Sequence, residues 1–170
     1  MKKMYAFLFA VAIALTLAAC DQAAPDNGGS TAGDAPAIQS HVMLGDAKVQ
    51  LGGVFDDALA AALGDPMDVQ EAVSCHYDGF DTIYYYDGFA IYTYLYKEDK
   101  IIYSIELESA DIQTPEGAAA GMTRDEIEAI YGSEYSELVN GISYPLQESG
   151  AQLNIRMKDD SVFLIEYYVE

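Results

Sequence analysis

The chain has 170 residues, of which 28 are acidic and eight are basic, and its formal net charge is −20. Lys2 and Lys3 precede Cys20, so the chain after Cys20 has 28 acidic residues against six basic ones and a net charge of −22. A field of this sign repels nucleic acids and anionic lipid headgroups, and we predict no nucleic-acid partner. Cys75 is the only other cysteine, so no intramolecular disulfide can form once Cys20 is modified.

Residues 1–19 have the order of a secretory signal peptide: Lys2 and Lys3, an apolar stretch over 4–17, and small residues before Cys20. Residues 4–19 are shorter than the about 20 residues that a membrane-spanning helix needs. The ending Leu-Ala-Ala-Cys over 17–20 resembles the bacterial lipobox, which implies a diacylglyceryl anchor on Cys20. We predict a protein anchored in the cell membrane that faces outside the cytoplasm. The alternative is an ordinary signal peptide that is cleaved nearby.

The segment that follows, residues 20–36, is small, polar and rich in Gly, Pro and Asp. Such a composition has nothing to bury and predicts a flexible tether. A lead-in strand or hairpin is predicted over 37–51, where a short apolar pattern is interrupted by Gly45 and Asp46.

A stretch of twelve residues occurs twice, as GVFDDALAAALG over 53–64 and as GMTRDEIEAIYG over 121–132. Apolar residues at helical spacing predict a short helix in each copy. Thr123 and Glu126 have the spacing of a capping box at the start of the second helix. Helices this short are marginal in water, so each must pack on another element.

Three strands are predicted after each helix. They cover residues 82–86, 89–96 and 101–107, and then 142–147, 152–157 and 162–169. The predicted fold class is α+β, with two tandem repeats of a helix and antiparallel strands that share one sheet and place the helices on one face. The repeat units are 37–109 and 110–170.

The paired helices, each followed by an antiparallel sheet, resemble the tandem-repeat fold of the β-lactamase inhibitory proteins and related outer-membrane assembly lipoproteins. The runs TPEG over 114–117 and SCHYDG over 74–79 are similar to stretches in uncharacterised lipoproteins of Gram-positive bacteria. The resemblance implies one continuous sheet whose concave face grips another protein. Those inhibitors have disulfides in their repeats, which this chain lacks, and no inhibitory residue is carried over.

Alternation along the strand 89–96 predicts that Tyr92, Tyr94 and Tyr96 share one face. Tyr84 and Tyr86 of the preceding strand are predicted to join them. Tyrosine combines a rigid apolar ring with a polar tip, which suits binding surfaces. We therefore predict that these five residues bind a partner. The alternative is that the rings only stabilise the sheet by cross-strand packing.

Cys75 and His76 are the one pair that suggests nucleophilic catalysis. Adjacent side chains on an extended chain point apart, and a catalytic cysteine usually meets its histidine from elsewhere in the sequence. We interpret Cys75 as a buried structural cysteine and predict that the protein is not an enzyme. The sequence has no phosphate loop, EF-hand loop or zinc spacing, so no metal or cofactor is predicted. A weak calcium site among the many carboxylates is the alternative.

The sequence thus predicts a lipid-anchored binding module that holds a protein on a tyrosine-rich sheet face. A glycan or small-ligand sensor and an envelope assembly lipoprotein are the alternatives.

Overall fold

The computed structural model describes residues 37–74, 79–148 and 150–169. The predicted signal peptide, Cys20, the tether and the pair Cys75 and His76 lie outside the described residues. The described strands and helices, in chain order, are β1 (His41–Leu44), β2 (Ala47–Gln50), α1 (Asp57–Leu63), β3 (Asp68–Val73), β4 (Phe80–Tyr86), β5 (Phe89–Tyr96), β6 (Asp99–Leu107), α2 (Arg124–Tyr131), β7 (Ser136–Leu138), β8 (Gly141–Pro145), β9 (Ala151–Lys158) and β10 (Ser161–Val169).

Eight of these strands form one antiparallel sheet in the order β3-β4-β5-β6-β10-β9-β8-β7. Strands β3 to β6 and strands β7 to β10 each follow chain order, and β6 pairs with β10 at the centre. Strands β1 and β2 form a separate hairpin with a turn at residues 45–46, as the lead-in pattern predicted. The centre of the large sheet therefore lies between two strands that are far apart in the chain.

The predicted α+β class is wrong, and the layout of two helix-plus-strand repeats is replaced by a mostly β fold. The two helices have only seven and eight residues. The connectors after them, which were not predicted to be strands, form β3 and β7. About half of the described residues lie in strands and about an eighth in helices.

The helices are short because the start of each twelve-residue stretch hydrogen-bonds to the sheet. Gly53 accepts a hydrogen bond from Ile102 N, and Phe55 N donates to Lys100 O, so this backbone is extended along β6. The second copy does the same along β10, where Gly121 N donates to Val162 O. Backbone committed to a strand cannot also form the first turn of a helix. Each helix therefore begins only after these contacts end.

One face of the sheet is covered and forms the core. Its central residues are fully buried: Ile91, Ile105, Leu107, Ile165 and Tyr167. The β1–β2 hairpin and both helical regions contribute to the same hydrophobic cluster. Each buried aliphatic side chain stabilises the fold by roughly 1.5–3 kcal/mol.

The two helices cover this face unequally. Helix α2 buries Ile127 and Tyr131 and begins with the predicted capping box of Thr123 and Glu126. Helix α1 has an aspartate N-cap, Asp56, but it buries no residue of its own. Helix α1 is therefore packed less deeply on the core than α2.

Candidate binding face

The sheet face opposite the core carries a group of four tyrosines, which we call the tyrosine platform: Tyr92, Tyr94, Tyr103 and Tyr168. Tyr103 is at its centre, with its ring centroid 6.0 Å from that of Tyr92, 6.2 Å from that of Tyr94 and 6.4 Å from that of Tyr168. All four side chains are partly exposed. Three strands, β5, β6 and β10, thus present one continuous aromatic surface.

Tyr103 reaches this face because of a β-bulge. Tyr92 pairs with Ser104 and Thr93 pairs with Ile102, so Tyr103 is an extra residue in β6. A bulge of this kind re-aims side chains relative to strict alternation. Alternation alone places Tyr103 with Ile105 on the core face, whereas its ring contacts are all with tyrosines of the open face.

A row of polar side chains borders the platform. Glu106 of β6 lies directly opposite Glu166 of β10, and Glu166 lies opposite Asn154 of β9. The hydroxyl of Tyr92 donates to Glu106 Oε2 at 2.7 Å, and Asn154 Nδ2 donates to Glu166 Oε2 at 3.0 Å. Arg156 is the cation paired with this row, with its Nη2 3.8 Å from Glu166 Oε2.

The open face has a negative electrostatic character. Burial raises the pKa of Glu106, and the neighbouring charge of Glu166 raises it further, although the hydrogen bond from Tyr92 acts in the opposite direction. Burial raises the pKa of Tyr103 to about 12, and Asp81 makes the next largest contribution to that shift. The contributions of Glu166 and Asp81 to these shifts come from negative charge, which would favour a positively charged group nearby.

Three polar atoms on this face are buried and have no hydrogen-bond partner among the described residues: Ser104 Oγ, Asn154 Oδ1 and Asp81 Oδ1. Ser104 and Asn154 are only 3% and 6% exposed. Buried polar groups without partners are uncommon, since each costs about 1–3 kcal/mol. The open face therefore holds polar atoms whose hydrogen bonds the described residues do not satisfy.

The structure separates the five tyrosines that were predicted to bind a partner. Tyr92 and Tyr94 belong to the platform, and Tyr96 is 54% exposed at the end of β5, with Lys97 Nζ 5.1 Å from its ring centroid. Tyr84 and Tyr86 do not join them, which corrects the prediction.

Tyr84 and Tyr86 lie on the covered face because the register pairs Tyr84 with Ile91. They are 8% and 7% exposed. Tyr84 stacks on Phe55, with ring centroids 4.3 Å apart. Both tyrosines line a cavity of about 350 Å³ beside α1, and the hydroxyl of Tyr86 is buried without a partner among the described residues.

The residues that prediction missed are Tyr103, Tyr168, Glu106, Glu166, Ser104 and Asn154. All of them fall in strands that the sequence predicts. Alternation in 162–169 from the buried Ile165 and Tyr167 could have identified Glu166 and Tyr168. No local signal indicates the bulge that brings Tyr103 to the open face.

Within residues 37–74, 79–148 and 150–169, no group of three or more His, Cys, Asp or Glu side chains is placed to hold a metal ion. In the same ranges, neither helix is long and apolar enough to cross a membrane.

Comparisons of the chain with protein-family models, with curated proteins and with solved structures found no match. The resemblance to the β-lactamase inhibitory proteins therefore stays a prediction from the sequence. The geometry of the open face is what indicates a function.

Proposed function

We propose that the protein is a lipid-anchored extracytoplasmic binding module that holds a protein partner on the tyrosine platform. The observation that carries the proposal is the contiguous exposure of four tyrosines on three neighbouring strands. Among the described residues, the hairpin and the helices pack on the other face, so the rings are left partly in water. Partly exposed tyrosines are typical of the centres of protein interfaces.

The shape of the platform favours a protein over a glycan. The rings of Tyr92 and Tyr168 are inclined to that of Tyr103 by 68° and 80°, so they meet it edge to face. A sugar that stacks on an aromatic ring needs a cleft around one or two decisive tyrosines. A surface spread over three strands suits a broad, flat contact.

Site-specific crosslinking in intact producing cells tests the proposal. We would replace Tyr94 or Tyr168 by the photoreactive residue p-benzoylphenylalanine, which preserves the aromatic ring. Val139, in the turn between β7 and β8, is 99% exposed and is the matched control position. We expect a defined protein adduct from both tyrosine positions and none from Val139. Absence of adducts at both tyrosines, or the same adducts at Val139, would show that the platform does not bind a protein.

The lipid anchor is tested separately at Cys20. Cys20→Ser removes the sulfur that a diacylglyceryl group requires, so we expect the protein to leave the membrane fraction and to lose incorporation of labelled fatty acid. Because even a single myristoyl chain gives only marginal membrane binding, a variant without any acyl chain should be released almost completely. Cys75→Ser is the control and should remain in the membrane. Equal retention of both variants would contradict the proposed anchor.

A further inference from the structure

Glu106 and Glu166 form a like-charged pair at the centre of the open face. They are directly opposite one another on β6 and β10, and both are partly buried. Like charges directly opposite in a sheet are destabilising. Arg156 offsets this repulsion only in part, because its Nη2 is 3.8 Å from Glu166 Oε2.

The side chains next to this pair supply a second and independent sign of a ligand. Asn154 is 6% exposed, and its Nδ2 donates to Glu166, so the end of its side chain lies at the carboxylate. Its Oδ1 has no donor among the described residues. Ser104, two residues before Glu106 on the same strand, is 3% exposed, and its Oγ is also without a partner. The site thus has an amide oxygen and a hydroxyl that the described chain does not satisfy.

Aromatic rings border the same site. Tyr92 bonds to Glu106, and Tyr168 is two residues from Glu166 on β10. Tyr103 contacts both of these tyrosines and is close enough to the two glutamates for their charges to raise its pKa. The negative faces of such rings attract a cation that is already drawn by the carboxylates.

We infer that Glu106, Glu166, Asn154 and Ser104, bordered by the tyrosine platform, bind the guanidinium group of an arginine side chain that the partner protein presents. This inference rests on the proposed function and specifies the chemistry of the partner. A net charge of −22 after Cys20 also favours a basic partner.

The acceptor arrangement favours guanidinium over ammonium. Each glutamate has one oxygen, Oε1, with no hydrogen bond among the described residues, while its Oε2 is engaged by Tyr92 or Asn154. A guanidinium is planar, carries five N–H donors in a fixed fork and stacks on aromatic rings, whereas an ammonium has three donors around a point charge. Two carboxylates side by side next to tyrosine rings match the fork better.

The test titrates the full-length lipidated chain, in neutral detergent micelles, with N-acetyl-arginine amide. The protein is labelled with 3-fluorotyrosine, and the ¹⁹F signals of Tyr103 and Tyr168 are assigned by Tyr→Phe substitution. N-acetyl-citrulline amide, which is nearly isosteric but neutral, is the control probe. We expect saturable shifts at both platform signals with the arginine probe and none with the citrulline probe.

Two double variants with the same change in net charge distinguish binding at this site from general attraction by the negative charge of the protein. Glu106→Gln combined with Glu166→Gln should weaken binding by about fivefold or more, since two partly buried charges are lost. Glu98 and Glu134 are exposed, in the β5–β6 turn and after α2. Glu98→Gln combined with Glu134→Gln should change the affinity for the arginine probe by no more than about twofold. The signals of the buried Tyr131 and Tyr167 report whether each variant is folded.

Two outcomes would overturn the inference: no platform shift with the arginine probe, or equal weakening in the two double variants. Either result would leave the crosslinks from Tyr94 and Tyr168 standing, because a partner can bind the platform without an arginine. Absent crosslinks would overturn the proposed function on their own, without any reference to the arginine probe.

Discussion

The two faces of the central strands use tyrosine for different purposes. Tyr167 and Tyr168 are neighbours on β10, yet Tyr167 is fully buried among the core residues and Tyr168 contacts Tyr103 on the open face. The covered face consists almost wholly of apolar side chains, whereas the open face holds two opposed carboxylates. Burial on one face thus stabilises the sheet enough for the other face to keep groups that weaken it.

The largest effect should come from opening a cavity on the covered face. Ile165 is fully buried at the centre of the sheet, so Ile165→Ala should lower the free energy of unfolding by about 2–5 kcal/mol. Tyr168→Ala, on the same strand but on the open face, should cost only about 1 kcal/mol because the ring is partly exposed. Urea unfolding followed by far-ultraviolet circular dichroism measures both. Equal losses would mean that the open face is a second core.

Removing one hydroxyl from each face should affect the free energy of unfolding differently. Tyr92→Phe deletes the hydrogen bond to Glu106 and should lower the free energy of unfolding by about 1–2 kcal/mol, since the acceptor is charged. Tyr86→Phe deletes a buried hydroxyl that has no partner among the described residues, so it should be neutral or stabilise by up to about 1 kcal/mol. The same urea titration compares them. A destabilising Tyr86→Phe would show that this hydroxyl has a partner in solution.

How far the sequence predicts these two faces depends on whether the pattern is local. Alternation along β5 places Ile91, Thr93 and Leu95 on the side predicted to pack on the helix. Ile91 and Thr93 are fully buried, whereas Leu95, near the end of the strand, is 43% exposed. Alternation carries no information on how β5 aligns with β4, and the register that pairs Tyr84 with Ile91 puts Tyr84 and Tyr86 on the covered face. Which face a strand presents can be read along the chain, but the alignment of two strands depends on the whole fold.

Bulges are the second reason why the candidate site was only partly predictable. Tyr103 is skipped where β6 pairs with β5, and Phe163 is skipped where β10 pairs with β9, which breaks the period of two within strands that were otherwise predicted. A short helix forms in each stretch that predicted one, but it begins only at Asp57 or Arg124, because residues 53–55 and 121–123 contact strands that are distant in sequence. Helical periodicity in those stretches could not reveal the competing sheet contacts.

The smallest effect, and the sharpest test of the open face, is the pH dependence of Glu106→Gln. The pKa of Glu106 is raised above its usual 4.5 by burial first, with Glu166 and Glu108 adding to the shift and with Tyr92 and Arg156 opposing it. Between the unfolded and folded pKa values the folded state binds more protons, so the free energy of unfolding falls as pH rises through that window. Glu106→Gln should therefore stabilise the fold at pH 7, by less than about 1 kcal/mol.

That advantage should shrink as pH falls toward 4.5, because Glu106 then becomes neutral in the parent protein as well. Glu126 provides a control of opposite sign. Its pKa is lowered by hydrogen bonds from the backbone and side chain of Thr123, so its contribution to stability is present above its unfolded pKa and is lost as pH falls through the folded value. Glu126→Gln should consequently destabilise at pH 7 and approach the parent protein at low pH. If Glu106→Gln destabilised the protein at pH 7, as Glu126→Gln should, the fold itself would stabilise the carboxylate of Glu106. The open face would then not favour the binding of a cation.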